Sequence, residues 1–580
     1  MTRTSDADVS VARGTRRKSA AGKILWGAGL LIAGAGLAVL YFRQSLLAPF
    51  NSDGAAIALQ ASAMLHGNPL LRGWWAADVS FYTTELPEYM AVEAVRGLSP
   101  VVVHLSGALT YSLIVLLAAL VARGRHTGRA GLARAVLAGG ILLAPGIVLG
   151  TPVFLENPDH AGTAVPILLL FLILDRWPER WFTAAAACLL LAWTQVADQL
   201  ALVAAAIPLA VVAAVRLGLR WLRGRKARAR GGQTGGGQTG DGQTGGGQTG
   251  GGQTGDGRAG QLRYDAFLLA AAVVSMPLAR GAAAVLRDLG GFYLRPLPQQ
   301  LLATASQVPG NVRVLGQALL VLFGANVPGG RNPYLGALAY FHVIGLALAL
   351  AGFAVAAATF FARRRDRVTQ VVVVAVLATI AAAIFGTELP DLSHTHEIAV
   401  LAPFGAVLAG RVLPGLMPLR WRGAGRALAA ALGVWAMCAL AALCWAATWS
   451  PLTQGDDQAL ATWLVRHGLT EGLAGYWQAD STTVLSGGKV LVAPIKDSAR
   501  AVSPWESSAD WYDPATHRAT FIIAAPAQGG LSVGTERALF GDPAGEYHVG
   551  QYVVMVYPYN LLTRLSGRSF PGPASELANG

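Results

Sequence analysis

Charge is scarce in this sequence. Only 13% of its 580 residues are Asp, Glu, Lys or Arg, against about 25% in a soluble globular domain. So few charges cannot cover a surface that faces water on all sides, which excludes an ordinary soluble enzyme. Cysteine is scarcer still. Cys188, Cys438 and Cys444 are the full set, and all three sit inside apolar runs. They read as small core residues, which argues against a disulfide framework or a cysteine metal site. The P-loop, the dinucleotide fingerprint and the Gly-x-Ser-x-Gly nucleophile turn are also absent.

What the chain has in excess is apolar residues, 53% of the total, and positive charge, +13 net. The basic residues do not interleave with aromatics as in a nucleic-acid module. They cluster beside apolar runs, as the positive-inside rule expects of cytoplasmic loops. Membrane lipids are therefore expected partners and nucleic acid is not. A hydrocarbon core of about 30 Å takes roughly 20 helical residues to cross. Run lengths and loop charges give about eleven spans, the first over Ile24–Tyr41 and the last over Ala427–Trp449. The predicted fold is an all-α polytopic membrane bundle of about eleven transmembrane helices with a small extracytoplasmic α/β C-terminal domain.

Residues 1–23, with Arg3, Arg13, Arg16, Arg17, Lys18 and Lys23, read as a cytoplasmic basic tail before an uncleaved signal anchor. Residues 24–449 form the membrane domain, with 42–100 as its first external loop. Residues 220–263 read as a flexible cytoplasmic linker, where Gln-Thr-Gly recurs from Gln233, Gln238, Gln243, Gln248 and Gln253. Such a glycine-rich polar tract has no core to bury. Deleting most of 231–257 is therefore expected to leave insertion and activity intact. Protease protection of the deletion variant in membrane vesicles checks this, and loss of insertion would refute the linker reading. An odd span count places 450–580 outside. There a helix is expected over Asp456–His467 and strands over Val484–Ile495, Thr520–Ala525 and Tyr552–Tyr559. High Ala, Gly and Arg usage suggests a high-GC bacterium, and hence the bacterial plasma (inner) membrane.

The chemistry-bearing residues gather in the outer loops. Asp53 follows the first span and could act as a general base on an acceptor hydroxyl. Alternatively Ser52 or Asp53 caps the helix expected over 54–66. Glu85, in the run Phe81-Tyr82-Thr83-Thr84-Glu85, is a second catalytic candidate. The turn Glu156-Asn157-Pro158-Asp159-His160 could orient an acceptor or hold a cation, with Asp159 as an alternative helix cap. A third loop carries Glu388, Asp391, His394, His396 and Glu397. There His394, His396 and Glu397 offer a ligand set for a divalent cation, the sole cofactor expected; a solvated loop is the alternative. Arg295 and Arg331, outside the seventh span, could grip a phosphate or meet anionic headgroups.

The run Leu65-His66-Gly67-Asn68-Pro69-Leu70-Leu71-Arg72-Gly73-Trp74, continuing to Phe81–Glu85, looks like the first loop of bacterial membrane proteins grouped with the GT-C glycosyltransferases. Residues 24–449 resemble that class in arrangement, and its protein-mannosyltransferase and aminoarabinose-transferase branch most. The shared features are a cytoplasmic N-terminus, a long first external loop with an acidic residue just after the first span, and an acidic turn after the third. The resemblance implies transfer of a sugar from a polyprenyl-phosphate carrier to an extracytoplasmic glycan, lipid or protein acceptor. It implies the catalytic carboxylate at Asp53 and the second acidic site at Glu156 or Asp159. Many members carry two adjacent acidic residues where this chain has Ser52-Asp53. Two other readings stay open: a transporter or flippase of a lipid-linked or polar substrate, and a non-catalytic cell-envelope assembly protein. Against the transporter, no internal repeat of spans is visible and the acidic residues sit at loop ends.

Overall fold

A computed structural model of the protein describes residues 6–146, 152–156, 160–233, 252–295, 301–326, 333–362, 366–416, 422–449, 455–497, 499–526 and 530–567. The membrane part opens with α1 (Asp6–Ser45), α2 (Ser52–Leu65), α3 (Glu85–Arg96), α4 (Pro100–Arg123) and α5 (Gly128–Leu142). It continues with α6 (Ala164–Arg176), α7 (Trp181–Ala197), α8 (Ile207–Gln233), α9 (Gly252–Asp288) and α10 (Val308–Leu322). It closes with α11 (Pro333–Ala358), α12 (Arg367–Phe385), α13 (Leu401–Val412) and α14 (Arg422–Trp449).

Seven stretches among the described residues are long and apolar enough to cross a membrane, or eight if the bent pair Leu392–Ile398 and Leu401–Gly415 is one span. The chain is a multi-pass membrane protein. This count differs from the expected eleven or so. Helices α5, α6 and α7 stand near three further expected spans but hold only 15, 13 and 17 residues. They rise roughly 20 to 25 Å, short of the hydrocarbon thickness. The span expected over 135–153 breaks because α5 ends at Leu142, ahead of Pro145, and a proline disfavours helix at the residue before it. Much of the tract expected as a linker, 220–263, lies outside the described residues. Helix α8 continues to Gln233 and α9 starts at Gly252, and the repeat between them lies outside the described residues.

Helix α4 is the hub, packed by α1, α5, α6 and α13. A π-helical turn, Pro152–Glu156, presses against it. Gly107 makes that approach possible: a Cβ there would sit 2.4 Å from the Leu155 carbonyl oxygen. The turn is thereby held just ahead of His160.

Residues 455–567 form the α/β unit. Its helices are α15 (Asp456–Arg466), α16 (Tyr476–Leu485) and α17 (Val533–Phe540). Two short strands, β1 (Trp74–Trp75) and β4 (Ser507–Ser508), pair with each other, and the remaining five form the main sheet. These are β2 (Glu471–Ala474), β3 (Leu491–Pro494), β5 (Phe521–Ala524), β6 (Gly545–Val549) and β7 (Tyr552–Val556), in the order β3-β2-β5-β7-β6. Strand β2 runs parallel to β3 and β5, while β7 is antiparallel to β5 and β6. The strand expected over Val484–Ile495 shrinks to Leu491–Pro494. Residues before it belong to α16, which is terminated by Gly487 and Gly488 at φ 65° and 73°, a conformation glycine adopts without steric cost.

The unit is interlocked with the first loop. Strand β1 pairs antiparallel with β4, Trp74 opposite Ser508 and Trp75 opposite Ser507. Trp74 meets Trp511 edge-on at 5.1 Å, and Trp75 meets Tyr512 at 6.1 Å. Such aromatic pairs add to the burial that already favours the contact. Ser52 Oγ donates to the Tyr476 carbonyl at 2.6 Å.

Candidate functional site

The residue that caps α2 is Asn51, not Ser52 or Asp53 as expected. Its Oδ1 accepts from the Gly54 N–H at 3.2 Å. A cap needs extended backbone, and Asn51 has it, at φ −99° and ψ −178°, while Ser52 and Asp53 are already in the helix. The correction matters for Asp53. Its carboxylate receives Asn51 Nδ2 at 2.9 Å and Tyr476 Oη at 2.5 Å, and the helix N-terminus favours its charge.

Tyr476 Oη also bonds the Glu506 carboxylate. A phenol carries one proton and cannot donate to both carboxylates. The phenol therefore donates to one carboxylate at a time and links the two, giving a proton a path between them. Burial, then Glu506 and Asp53, push the Tyr476 phenol well above its ordinary value, so it stays protonated.

One turn further along α16 lies Asp480, fully buried, with no hydrogen-bond partner for either oxygen among the described residues. Burial, then the Asp53 carboxylate, push its carboxyl well above the usual range. The unfolded chain releases this proton above about pH 4 while the folded chain keeps it. Rising pH therefore pulls toward unfolding. Asp480→Asn removes that pull. Its melting temperature is expected to exceed that of wild type by a margin that widens from pH 5 to pH 8; a flat or narrowing margin would count against this reading.

His160 anchors a second group of polar side chains. Its Nδ1 lies 3.0 Å from Asp198 Oδ2 and its Nε2 lies 3.5 Å from Glu397 Oε1. The His396 ring stacks on it at 5.6 Å, with Nε2 3.7 Å from the same Glu397 oxygen. One ligand atom from each of His160, His396 and Glu397 falls within 4.8 Å of the others. Two imidazoles and a carboxylate suit zinc or a neighbouring divalent transition metal. Asp198 holds the far nitrogen of His160, the support a metal-bound histidine needs. Thr163 Oγ1 at 2.5 Å and the Leu200 N–H at 2.8 Å fix Asp198 in turn. Burial by itself would raise the Asp198 carboxyl, but His160, Thr163 and Leu200 together hold it below its ordinary value.

His394, expected among the ligands, is outside that group. It pairs with Asp391 at 3.1 Å on the exposed rim. Asp391 caps the turn Leu392–Ile398, and hydrogen bonds from Ser393 and His394 lower its carboxyl to about 2.

Asp53, His160, His394, His396, Glu397, Tyr476 and Glu506 all line one cavity of about 670 Å³. Arg295 lines it too, its guanidinium stacked on Trp505 at 5.2 Å. Backbone strain concentrates here as well. Of four non-glycine residues with positive φ among the described residues, Leu71, Phe81, His160 and Glu506, the last three line this cavity. Strain of this kind persists where the surroundings enforce it, commonly at functional sites.

Glu85 lies apart, in a separate cavity of about 230 Å³ with Glu88 and Thr110. Gly162 packs against its carboxylate, where any Cβ would collide. Burial pushes the neighbouring Glu88 carboxyl up to about 7, against a 2.6 Å bond from Thr110 Oγ1. Glu156 ends the π-helical turn, and Asp159 and Arg331 lie outside the described residues. Tyr476, Glu506 and Asp198 escape sequence reasoning. A charge closing an apolar run was the available signal for Asp198; Tyr476 and Glu506 carry none.

No family model and no curated protein matches this sequence. Among solved structures, the chain is similar to the crystal structure of ArnT from Cupriavidus metallidurans bound to undecaprenyl phosphate. The likeness covers 94% of this chain and 99% of that one, at 12% identity and a TM-score of 0.45.

Proposed function

We propose that the 670 Å³ cavity is the active site of a membrane glycosyltransferase. It moves a sugar from a polyprenyl-phosphate carrier to an acceptor hydroxyl on the extracytoplasmic side. The supporting observation is convergence: a carboxylate pair bridged by a tyrosine, an imidazole–carboxylate cluster and an aromatic-backed arginine share one cavity. The GT-C resemblance of residues 24–449 points to the same chemistry.

In this reading the acceptor oxygen attacks the anomeric carbon as Asp53 takes its proton. The bond from that carbon to the phosphate oxygen breaks, its electrons leave with the polyprenyl phosphate, and the anomeric configuration inverts. Tyr476 and Glu506 hold Asp53 in place, and the phenol relays the proton, giving its own to the Glu506 carboxylate as it takes one from Asp53. Arg295 pairs with the departing phosphate, and its stacking on Trp505 keeps the guanidinium oriented. A divalent cation held by His160, His396 and Glu397 supplies further positive charge when bound. This reading also takes the N-terminus as cytoplasmic and residues 450–580 as extracytoplasmic, in a bacterial plasma membrane.

Membranes containing the protein, given radiolabelled polyprenyl-phosphate sugars, are expected to transfer label to a glycan, lipid or protein acceptor above vector-only membranes. Label that crosses the bilayer without any new covalent product would replace this reading with the transporter.

A further inference from the structure

A second large cavity, of about 510 Å³, lies at the other end of the bundle. Gln370, in the first turn of α12, lines it, whereas Glu388 and His396 of the active-site cavity follow that helix's last turn. Arg216, Arg220 and Arg223 line it from α8. Their spacing of four and then three residues puts them on one helix face.

A buried ion-pair network holds two of these arginines, Arg216 and Arg220. Asp265, fully buried, meets Arg216 Nε at 3.4 Å, Arg220 Nε at 3.2 Å and Arg367 Nη2 at 3.0 Å. Arg367 also meets Glu179 at 3.0 Å. Three arginines thus share two carboxylates, and Arg223 adds a further positive charge to the lining, so the pocket is positive. Arg220 Nη1 is buried and has no hydrogen-bond partner among the described residues. A guanidinium donor in that position calls for an anionic oxygen.

Beside Gln261 and Gln370, the rest of the lining includes an apolar flank of Val215, Leu219 and Phe360. Trp221 and Leu222, between Arg220 and Arg223 on α8, are exposed, and they close the apolar span Leu202–Arg223, so apolar surface flanks the basic residues at the end of a span. A basic base with an apolar flank at the membrane edge fits an amphiphile with an anionic head. We propose that this pocket binds the phosphate of an anionic phospholipid from the adjoining leaflet, its glycerol and first methylenes lying along Leu219 and Phe360. Basic pockets between membrane helices take such headgroups by this combination of charge and apolar contact. The site is independent of the sugar-transfer reading, since it shares no residue with that cavity.

The test is the thermal unfolding of the full-length protein in a neutral detergent, with phosphatidylglycerol, phosphatidylcholine or inorganic phosphate added. Phosphatidylglycerol is expected to raise the melting temperature in a saturable way, while the other two leave it in place. Arg220→Gln and, separately, Arg223→Gln are expected to raise the phosphatidylglycerol concentration needed by about tenfold. Arg223 lies outside the Asp265 pairs, so its variant keeps the network intact. An unchanged phosphatidylglycerol response in both variants would overturn the site. An equal response to phosphatidylcholine would remove the charge selectivity on which it rests. A saturable response to inorganic phosphate alone would reassign the pocket to a soluble phosphate.

Discussion

Asp53→Asn is expected to slow sugar transfer by about 10²–10⁴-fold, the range a positioned general base contributes. Asparagine keeps the size of the side chain and can still accept from Asn51 and Tyr476, so the first turn of α2 and its contact with the C-terminal unit stay intact. What disappears is the negative charge and the capacity to take a proton. The loss should fall on kcat and leave the KM for the donor nearly unchanged, because the base acts on the acceptor proton in the transition state. Glu506→Gln offers a sharper companion. It leaves the Tyr476 phenol with one carboxylate partner instead of two, which removes the carboxylate that a proton from Asp53 could reach through the phenol. The acid limb of the pH–rate profile should move, with a smaller drop in kcat than for Asp53→Asn. Label transfer by Asp53→Asn at the wild-type rate would place the base elsewhere.

The second large effect concerns the cation. The purified protein is expected to carry about one equivalent of a divalent transition metal, and its removal by a chelator should cut transfer on the order of 100-fold, restored by zinc or manganese. His160→Ala and His396→Ala should each lose the metal. Asp198→Asn should retain it with affinity weakened about 10- to 100-fold, because that carboxylate orients His160 without being a ligand. His394→Ala should keep both metal and activity. Elemental analysis of the five proteins separates two groupings. Metal lost from His394→Ala but kept in His160→Ala would restore the set His394, His396 and Glu397 that adjacency in sequence favours, and would disconnect the second outer turn from the third.

The two predictions differ in how far they could be seen in the chain. Asp53 stands out from sequence because a carboxylate just after an apolar span has few neighbours to account for it. Its competing role as a cap could not be settled there, since Asn51, Ser52 and Asp53 are all good capping residues. Which of them caps depends on where the backbone turns helical, and the docking of α16 holds Ser52 and Asp53 by Tyr476. The cation cluster shows the same limit. His396-Glu397 and His160 were both visible, but in different loops, and only the packing of the bundle stacks their rings.

Membrane class, helical content and the polar character of the loops were settled by the sequence alone. They follow from composition and hydropathy, which add up locally and need no partner. Span number was less secure, because hydropathy does not register the helix end before Pro145 or the turn Pro152–Glu156. The constellation around Asp53 was decided by tertiary structure. Tyr476 lies 423 residues from Asp53, and Glu506 reaches the same phenol from the far side of β3. No periodicity or spacing encodes a contact of that kind. It arises because β1 pairs with β4 and the tryptophans of the first loop bury themselves in the C-terminal unit, and the chain between those segments only has to be long enough to let them meet.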